Sequence, residues 1–214
     1  MKKLFSISFI ILFANAVFGQ EGWHWQNPYL QGNDLNSIIM NGSVGWAVGD
    51  MGVVMRTKNS GYDWEIVTLN TSLNLNSIYM EEISARGWIV GNAGAIYYSE
   101  DAGEHWTKQY SGTSEDLYSI TATGGNCPWV SGHDVILNSY NHGETWNKIN
   151  TPVHTWFWEI DQKDCDEVWV CGNQSLVMNT RDHGVTWQKH TVPTTYNLMG
   201  IDVVTNGDYR ACGN

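Results

Sequence analysis

The sequence predicts an all-β fold assembled from repeated four-stranded units, on three landmarks that recur in one phase. Four turns share a spelling: TKNSGYDW (57–64), SEDAGEHW (99–106), SYNHGETW (139–146) and TRDHGVTW (180–187). Their tryptophans, Trp64, Trp106, Trp146 and Trp187, are 42, 40 and 41 residues apart. The second landmark is GWAVGD (45–50), GWIVGN (87–92), PWVSGH (128–133), VWVCGN (168–173) and YRACGN (209–214), whose last glycines are Gly49, Gly91, Gly132, Gly172 and Gly213. The third is a strand start: LNSI (35–38), LNSI (75–78), LYSI (117–120), FWEI (157–160) and LMGI (198–201). Internal periods of this length belong to stacked supersecondary units, none of which completes a core alone.

Each period contains four short apolar or alternating runs and no helical periodicity. In the second they are LNSIYM (75–80), GWIVG (87–91), AIYYS (95–99) and HWTKQY (105–110). They are rich in β-branched and aromatic residues, which suit a half-buried pleated surface. Gly91-Asn92-Ala93-Gly94 joins the middle pair as a tight hairpin. Four antiparallel strands per repeat of about 40–45 residues make one blade of a β-propeller. Blades are expected to begin near residues 35, 75, 117 and 157, with a fifth near 198. A blade must bury both faces against neighbours, and Trp46, Trp88, Trp129 and Trp169 at one repeat position supply the bulk. Nine of the 12 tryptophans are locked to the repeat, the other five being the turn tryptophans and Trp25. Packing is therefore the first reading of any tryptophan here.

In the turns, Asn59, Asp101, Asn141 and Asp182 are placed to accept hydrogen bonds from backbone N–H groups. Gly61, Gly103, Gly143 and Gly184 supply a left-handed conformation, and Trp64, Trp106, Trp146 and Trp187 fold back over the turn. The spelling S/T-x-D/N-x-G-x-T-W resembles the Asp-box, or BNR repeat. With the W-x-V-G-x-x-G that precedes it, the chain resembles most closely the photosystem II assembly/stability-factor-like propellers and their secreted bacterial relatives. The resemblance covers residues 25–214. It implies a propeller whose boxes are structural, a general protein-binding role, and six or seven blades in the complete ring. In that family a basic patch is associated with docking, whereas this chain has a net charge of −11 and four arginines.

The segment WQNPYLQGND (25–34) reads as the outer strand of a blade whose other strands lie elsewhere. The count is thus one orphan outer strand, four whole blades and half a fifth, as expected of a fragment. Residues 1–19 carry Lys2 and Lys3, an apolar run and a small-residue exit before Gln20, the pattern of a secretory signal peptide. No later run is long and apolar enough to span a bilayer. Residues 20–214 are then a partial propeller, secreted, periplasmic or at the cell surface. An acidic surface argues against nucleic acid as a partner.

Four cysteines in an exported chain allow three pairings. Cys171 and Cys212 share a repeat position in consecutive blades, where sheets about 10 Å apart exceed disulfide reach; both are expected as buried small hydrophobes. Cys127 and Cys165 lie in loops between first and second strands of adjacent blades, and their pairing is open. No cysteine or histidine spacing suggests a metal, and no cofactor is expected. His142 and His183 share a turn position with Ser60 and Ala102 and are expected in solvent.

No catalytic residue is assigned. A sialidase needs three converging arginines, and Arg56, Arg86, Arg181 and Arg210 are scattered over the repeats. Asp34 and Asp116 share the position before an innermost strand, but Asn74 and Asn197 occupy it too, which suits a polar strand start better than a carboxylate pair. The expected function is a secreted, non-enzymatic propeller that binds a protein or a glycan. The alternative is a polysaccharide-active glycosidase of the Asp-box type. One break in the repeat points to a site. Trp156 replaces the polar strand start, and Trp158 stands where Asn36, Asn76, Tyr118 and Met199 occur. The two extra indoles either fill a local gap or form an exposed platform for a sugar or a partner side chain.

Overall fold

A computed structural model describes residues 32–82, 84–123, 127–204 and 208–214. The expected leader, and all but the last residues of the expected orphan strand, lie outside the described residues. Four sheets have four antiparallel strands each, in sequence order, and a fifth has two. The first sheet comprises β1 (Leu35–Asn41), β2 (Val44–Gly49), β3 (Val54–Thr57) and β4 (Glu65–Ile66). The second comprises β5 (Leu75–Met80), β6 (Gly87–Gly91), β7 (Ala95–Ser99) and β8 (Thr107–Gln109). The third comprises β9 (Leu117–Thr121), β10 (Trp129–Gly132), β11 (Val135–Asn138) and β12 (Asn147–Lys148). The fourth comprises β13 (Phe157–Gln162), β14 (Val168–Gly172), β15 (Val177–Thr180) and β16 (Gln188–His190), and the fifth β17 (Leu198–Val203) and β18 (Tyr209–Gly213). The first strands of successive sheets lie against one another, so β1, β5, β9, β13 and β17 line the inside of the arc. The fold is an incomplete β-propeller.

Second strands are sandwiched between sheets, which explains their continuous apolar runs: β6 and β14 are buried at every residue. At the first interface Trp46, Val48 and Val54 pack on Leu75, Ile78 and Met80. Burying each such side chain is worth roughly 1.5–3 kcal/mol. The equivalents of that triplet on β1, Leu35, Ile38 and Met40, are exposed, because no described residues cover that face.

The glycine that ends each second strand is there for space. Gly49 and Gly91 are extended, with φ of −165° and −164°. A Cβ on Gly49, Gly91, Gly132, Gly172 or Gly213 would meet the backbone oxygen of Asp34, Asn74, Asp116, Trp156 or Asn197 respectively. The left-handed residues follow instead, at Met51 and Gly52 and at Ala93 and Gly94.

The Asp-boxes connect third to outermost strands and satisfy their own backbone. Thr57, Ser99, Ser139 and Thr180 accept the N–H of Gly61, Gly103, Gly143 and Gly184 at 2.8–3.0 Å, while their hydroxyls donate to Asn59, Asp101, Asn141 and Asp182. The Asx oxygens in turn accept the N–H of Asp63, His105, Thr145 and Thr186. The second, third and fourth boxes also reach the preceding blade. Trp46 Nε1–H donates to the Ala102 carbonyl at 3.0 Å, and Trp88 Nε1–H to the His142 carbonyl at 3.4 Å. His142 is therefore half-buried, whereas His183 is in solvent. At the third interface Gly184 lies over the Trp129 ring, but the indole N–H has no acceptor among the described residues.

Cys127 and Cys165 form a disulfide that ties the loop after β9 to the loop after β13, with Cα atoms 5.7 Å apart. Cys171 is buried and free, its thiol pushed up to about 12 by burial. Cys212 departs from expectation: it is exposed, because no described sheet packs on the outer face of β18.

Candidate functional site

The predicted structural residues and the predicted binding residues separate in space. Asn59, Gly61, Trp64, Asp101, Gly103, Trp106, Asn141, Gly143, Trp146, Asp182, Gly184 and Trp187 all lie in or directly after the connections between third and outermost strands. These connections pack beside the first-to-second-strand loops, as in the bond from Ala102 N–H to the Ala85 carbonyl. Trp156 and Trp158 lie at the opposite ends of the strands, where the second-to-third-strand turns cluster.

Every innermost strand carries a β-bulge at one repeat position. Its pairing register shifts between Leu35 and Ser37, Leu75 and Ser77, Phe157 and Glu159, and Leu198 and Gly200, and β9 shifts equivalently against β10. The residues passed over are Asn36, Asn76, Tyr118, Trp158 and Met199. Bulges re-aim a side chain out of the ladder, and here they build a row across the blades. Asn36 and Asn76 donate to the next blade's Leu75 and Leu117 carbonyls at 3.0 and 2.7 Å. In the third and fourth blades an aromatic pair takes over: Tyr118 stacks on Trp158 with centroids 4.8 Å apart, and Trp158 Nε1–H donates to Asn173 Oδ1 at 2.6 Å.

The residue before each innermost strand has a defined task. Asn74, Asp116 and Asn197 accept the N–H of Met51, Ala93 and Gln174, the left-handed residues of the preceding blade's turn. Asp116 is therefore a turn cap. Trp156 cannot accept such a bond. The turn it faces, His133-Asp134, is one residue shorter, and Asp134 N–H is taken by the Thr155 carbonyl at 2.8 Å instead. That bond relieves the side chain at 156 of capping the turn, to which its backbone still bridges at His133, and Trp156 is 42% exposed.

Around Trp156 the structure gathers residues that the sequence alone did not single out. His133 meets its ring edge-on at 5.5 Å, and Trp158 does so at 5.2 Å. His133 Nδ1 pairs with Glu115 Oε2 at 3.0 Å, and His154 Nδ1 with Asp134 Oδ1 at 2.8 Å. Trp156, His133, Glu115, His154 and Asp134 line one open depression between the third and fourth blades. The readable signal was the 40-residue step, which shortens this turn alone. Deeper in the arc, Glu159 and Asp161 accept the N–H of Ile201 and Val203 at 3.3 and 2.8 Å. Burial pushes both carboxyls above their ordinary range. No group of side chains that could hold a metal ion occurs among the described residues, and no described helix is long and apolar enough to cross a membrane.

Known structures share this architecture. A structure titled YCF48 bound to D1 peptide matches with a TM-score of 0.68 at 18% identity, over 85% of this chain and 61% of that one. An ancestral GH74 enzyme matches with a TM-score of 0.70 at 17% identity, over 88% of this chain and 28% of that one. The WD40 propeller domain of Doa1 matches with a TM-score of 0.68 at 15% identity, over 86% and 64%. The chain thus spans less than two thirds of each, and identities this low establish the fold alone. No curated protein sequence matches. The family model described as photosynthesis system II assembly factor YCF48 matches residues 12–126. That match covers more than half of the sequence, and the chain belongs to this family.

Proposed function

We propose that the chain is a non-enzymatic binding module of an exported propeller, and that it docks a protein partner on the face that carries Trp156. The observation that carries this reading is the exposed, braced indole at a strand start that does not cap the turn it faces. Rigid aromatic groups of this kind dominate binding energy at interfaces. Family membership supports a protein partner, since one structure with this fold holds a peptide. Export is supported by the sequence of residues 1–19 and by a disulfide, which persists in oxidising compartments. Three candidate carboxylates are otherwise engaged: Asp116 caps a turn, and Glu159 and Asp161 staple the fifth sheet.

Site-specific photocrosslinking tests the reading. A photoreactive residue at position 156 should capture a discrete exported protein, and one at Tyr62, exposed in the first Asp-box, should not. Equal capture from both positions, or release of reducing sugar from xyloglucan by the purified chain, would overturn it.

A further inference from the structure

We infer that the depression around Trp156 receives a cationic side chain of the partner, an arginine first and a lysine more weakly; this rests on the docking reading above. Three features of the depression ask for a cation in particular. Trp156 meets Trp158 and His133 at interplanar angles of 89° and 83°, so neither ring stacks parallel on it. The indole is partly exposed, and an indole face attracts a cation through its quadrupole. The carboxylates of Glu115 and Asp134 line the same depression, with 43% and 41% of each side chain exposed. Each already accepts an imidazole nitrogen, so the rim is shaped for N–H donors, and a guanidinium brings five of them in a plane that also stacks on an indole. The lining contains no lysine or arginine, Lys189 facing the neighbouring depression beyond His154. The chain's net charge of −11 adds long-range attraction for a basic partner. A neutral sugar would use the indole and ignore the carboxylates; a cation uses both.

The test titrates the whole chain with the peptide Gly-Gly-Arg-Gly-Gly and with the same peptide carrying citrulline, which keeps the shape and removes the charge. Binding is followed through the indole N–H signals of Trp156 and Trp158. The arginine peptide should shift both signals and bind about tenfold more tightly than the citrulline peptide. Trp156→Ala should abolish the response, and Glu115→Gln with Asp134→Asn should weaken it at unchanged melting temperature. Equal binding of the two peptides, no binding of the arginine peptide, or insensitivity to the two carboxylate changes overturns the inference. If a neutral peptide or a xyloglucan oligosaccharide binds in a Trp156-dependent way, the cation is wrong but the surface stands as a docking site. If no binding depends on Trp156, the docking reading falls as well.

Discussion

The indole N–H of Trp46 donates to the carbonyl of Ala102 across the first blade interface, and Gly103 lies against the same ring. The Asp-box of one blade is thus a clamp on the strand tryptophan of the blade before it. Gly103 has φ +73°, and a Cβ there would meet Nε1 and Cδ1 of Trp46. Gly103→Val should therefore cost more than the roughly 1–3 kcal/mol of a strained backbone alone. Glu104→Ala removes only partly exposed ion pairs to Arg56 and Lys58, worth about 0–1 kcal/mol. Urea melts of the two variants check the difference, and similar midpoints would contradict the clamp.

Acid should loosen the boxes unevenly. Burial pushes the Asp101 carboxyl up, but hydrogen bonds from the His105 backbone, the His105 ring and the Ser99 hydroxyl outweigh it and hold the group at about 2. Hydrogen bonds from the Thr186 hydroxyl and backbone lower Asp182 in the same direction. A depressed carboxyl contributes stability that is complete above its unfolded value and is lost as pH falls through its folded one. Asp101→Asn should therefore reduce the loss of stability between about pH 4 and pH 2. A melting-temperature series over that window reads the effect. Asn59 and Asn141 do not titrate, so Asn59→Ala should leave the slope unchanged.

Glu159 and Asp161 should behave in the opposite sense. Burial raises both carboxyls, against the hydrogen bonds from Ile201 and Val203. A raised carboxyl imposes its full penalty above the folded value, and the penalty vanishes below the unfolded value. Glu159→Gln retains an acceptor for Ile201 N–H and should raise the melting temperature at pH 7. The gain should shrink as the pH is lowered toward 4.5, the ordinary value for glutamate. A gain that stays constant with pH would show that charge burial is not its source.

The disulfide joins the third and fourth blades at the loops that follow their first strands. Removing the cross-link between Cys127 and Cys165, 38 residues apart in sequence, should cost about 2–4 kcal/mol. Cys127→Ser with Cys165→Ser, melted beside the parent with and without reductant, measures it. The parent should fall to the variant's midpoint when reduced, and the variant should not respond.

The blades were legible in the sequence because strand starts, strand tryptophans and turns are each dictated locally. The wide repeat of Gly49, Gly91, Gly132, Gly172 and Gly213 marked strand ends, although their cause is a contact with a backbone oxygen at the start of the neighbouring strand. Trp156 stood out as a break in the pattern, but its surroundings did not. His133 meets it, with Glu115 behind, only because adjacent blades bring a turn and a strand start together. The bulges were hidden for a similar reason: a residue omitted from a ladder has the same spelling as one within it. Cys212 shows the converse, since repeat position predicted a neighbour on β18 that no described sheet provides.

The bulges release one side chain per blade from the strand ladder. Since Asn36, Asn76, Tyr118, Trp158 and Met199 sit outside the paired register, their identities are set by contacts between blades rather than by pairing within a sheet. Asparagine, tyrosine, tryptophan and methionine are accordingly all accommodated at one position of one repeat. The arc is thus a common frame that presents one variable side chain per blade along this row, and on the docking reading proposed above a change there would alter the face offered to a partner while the ladder beneath stays the same.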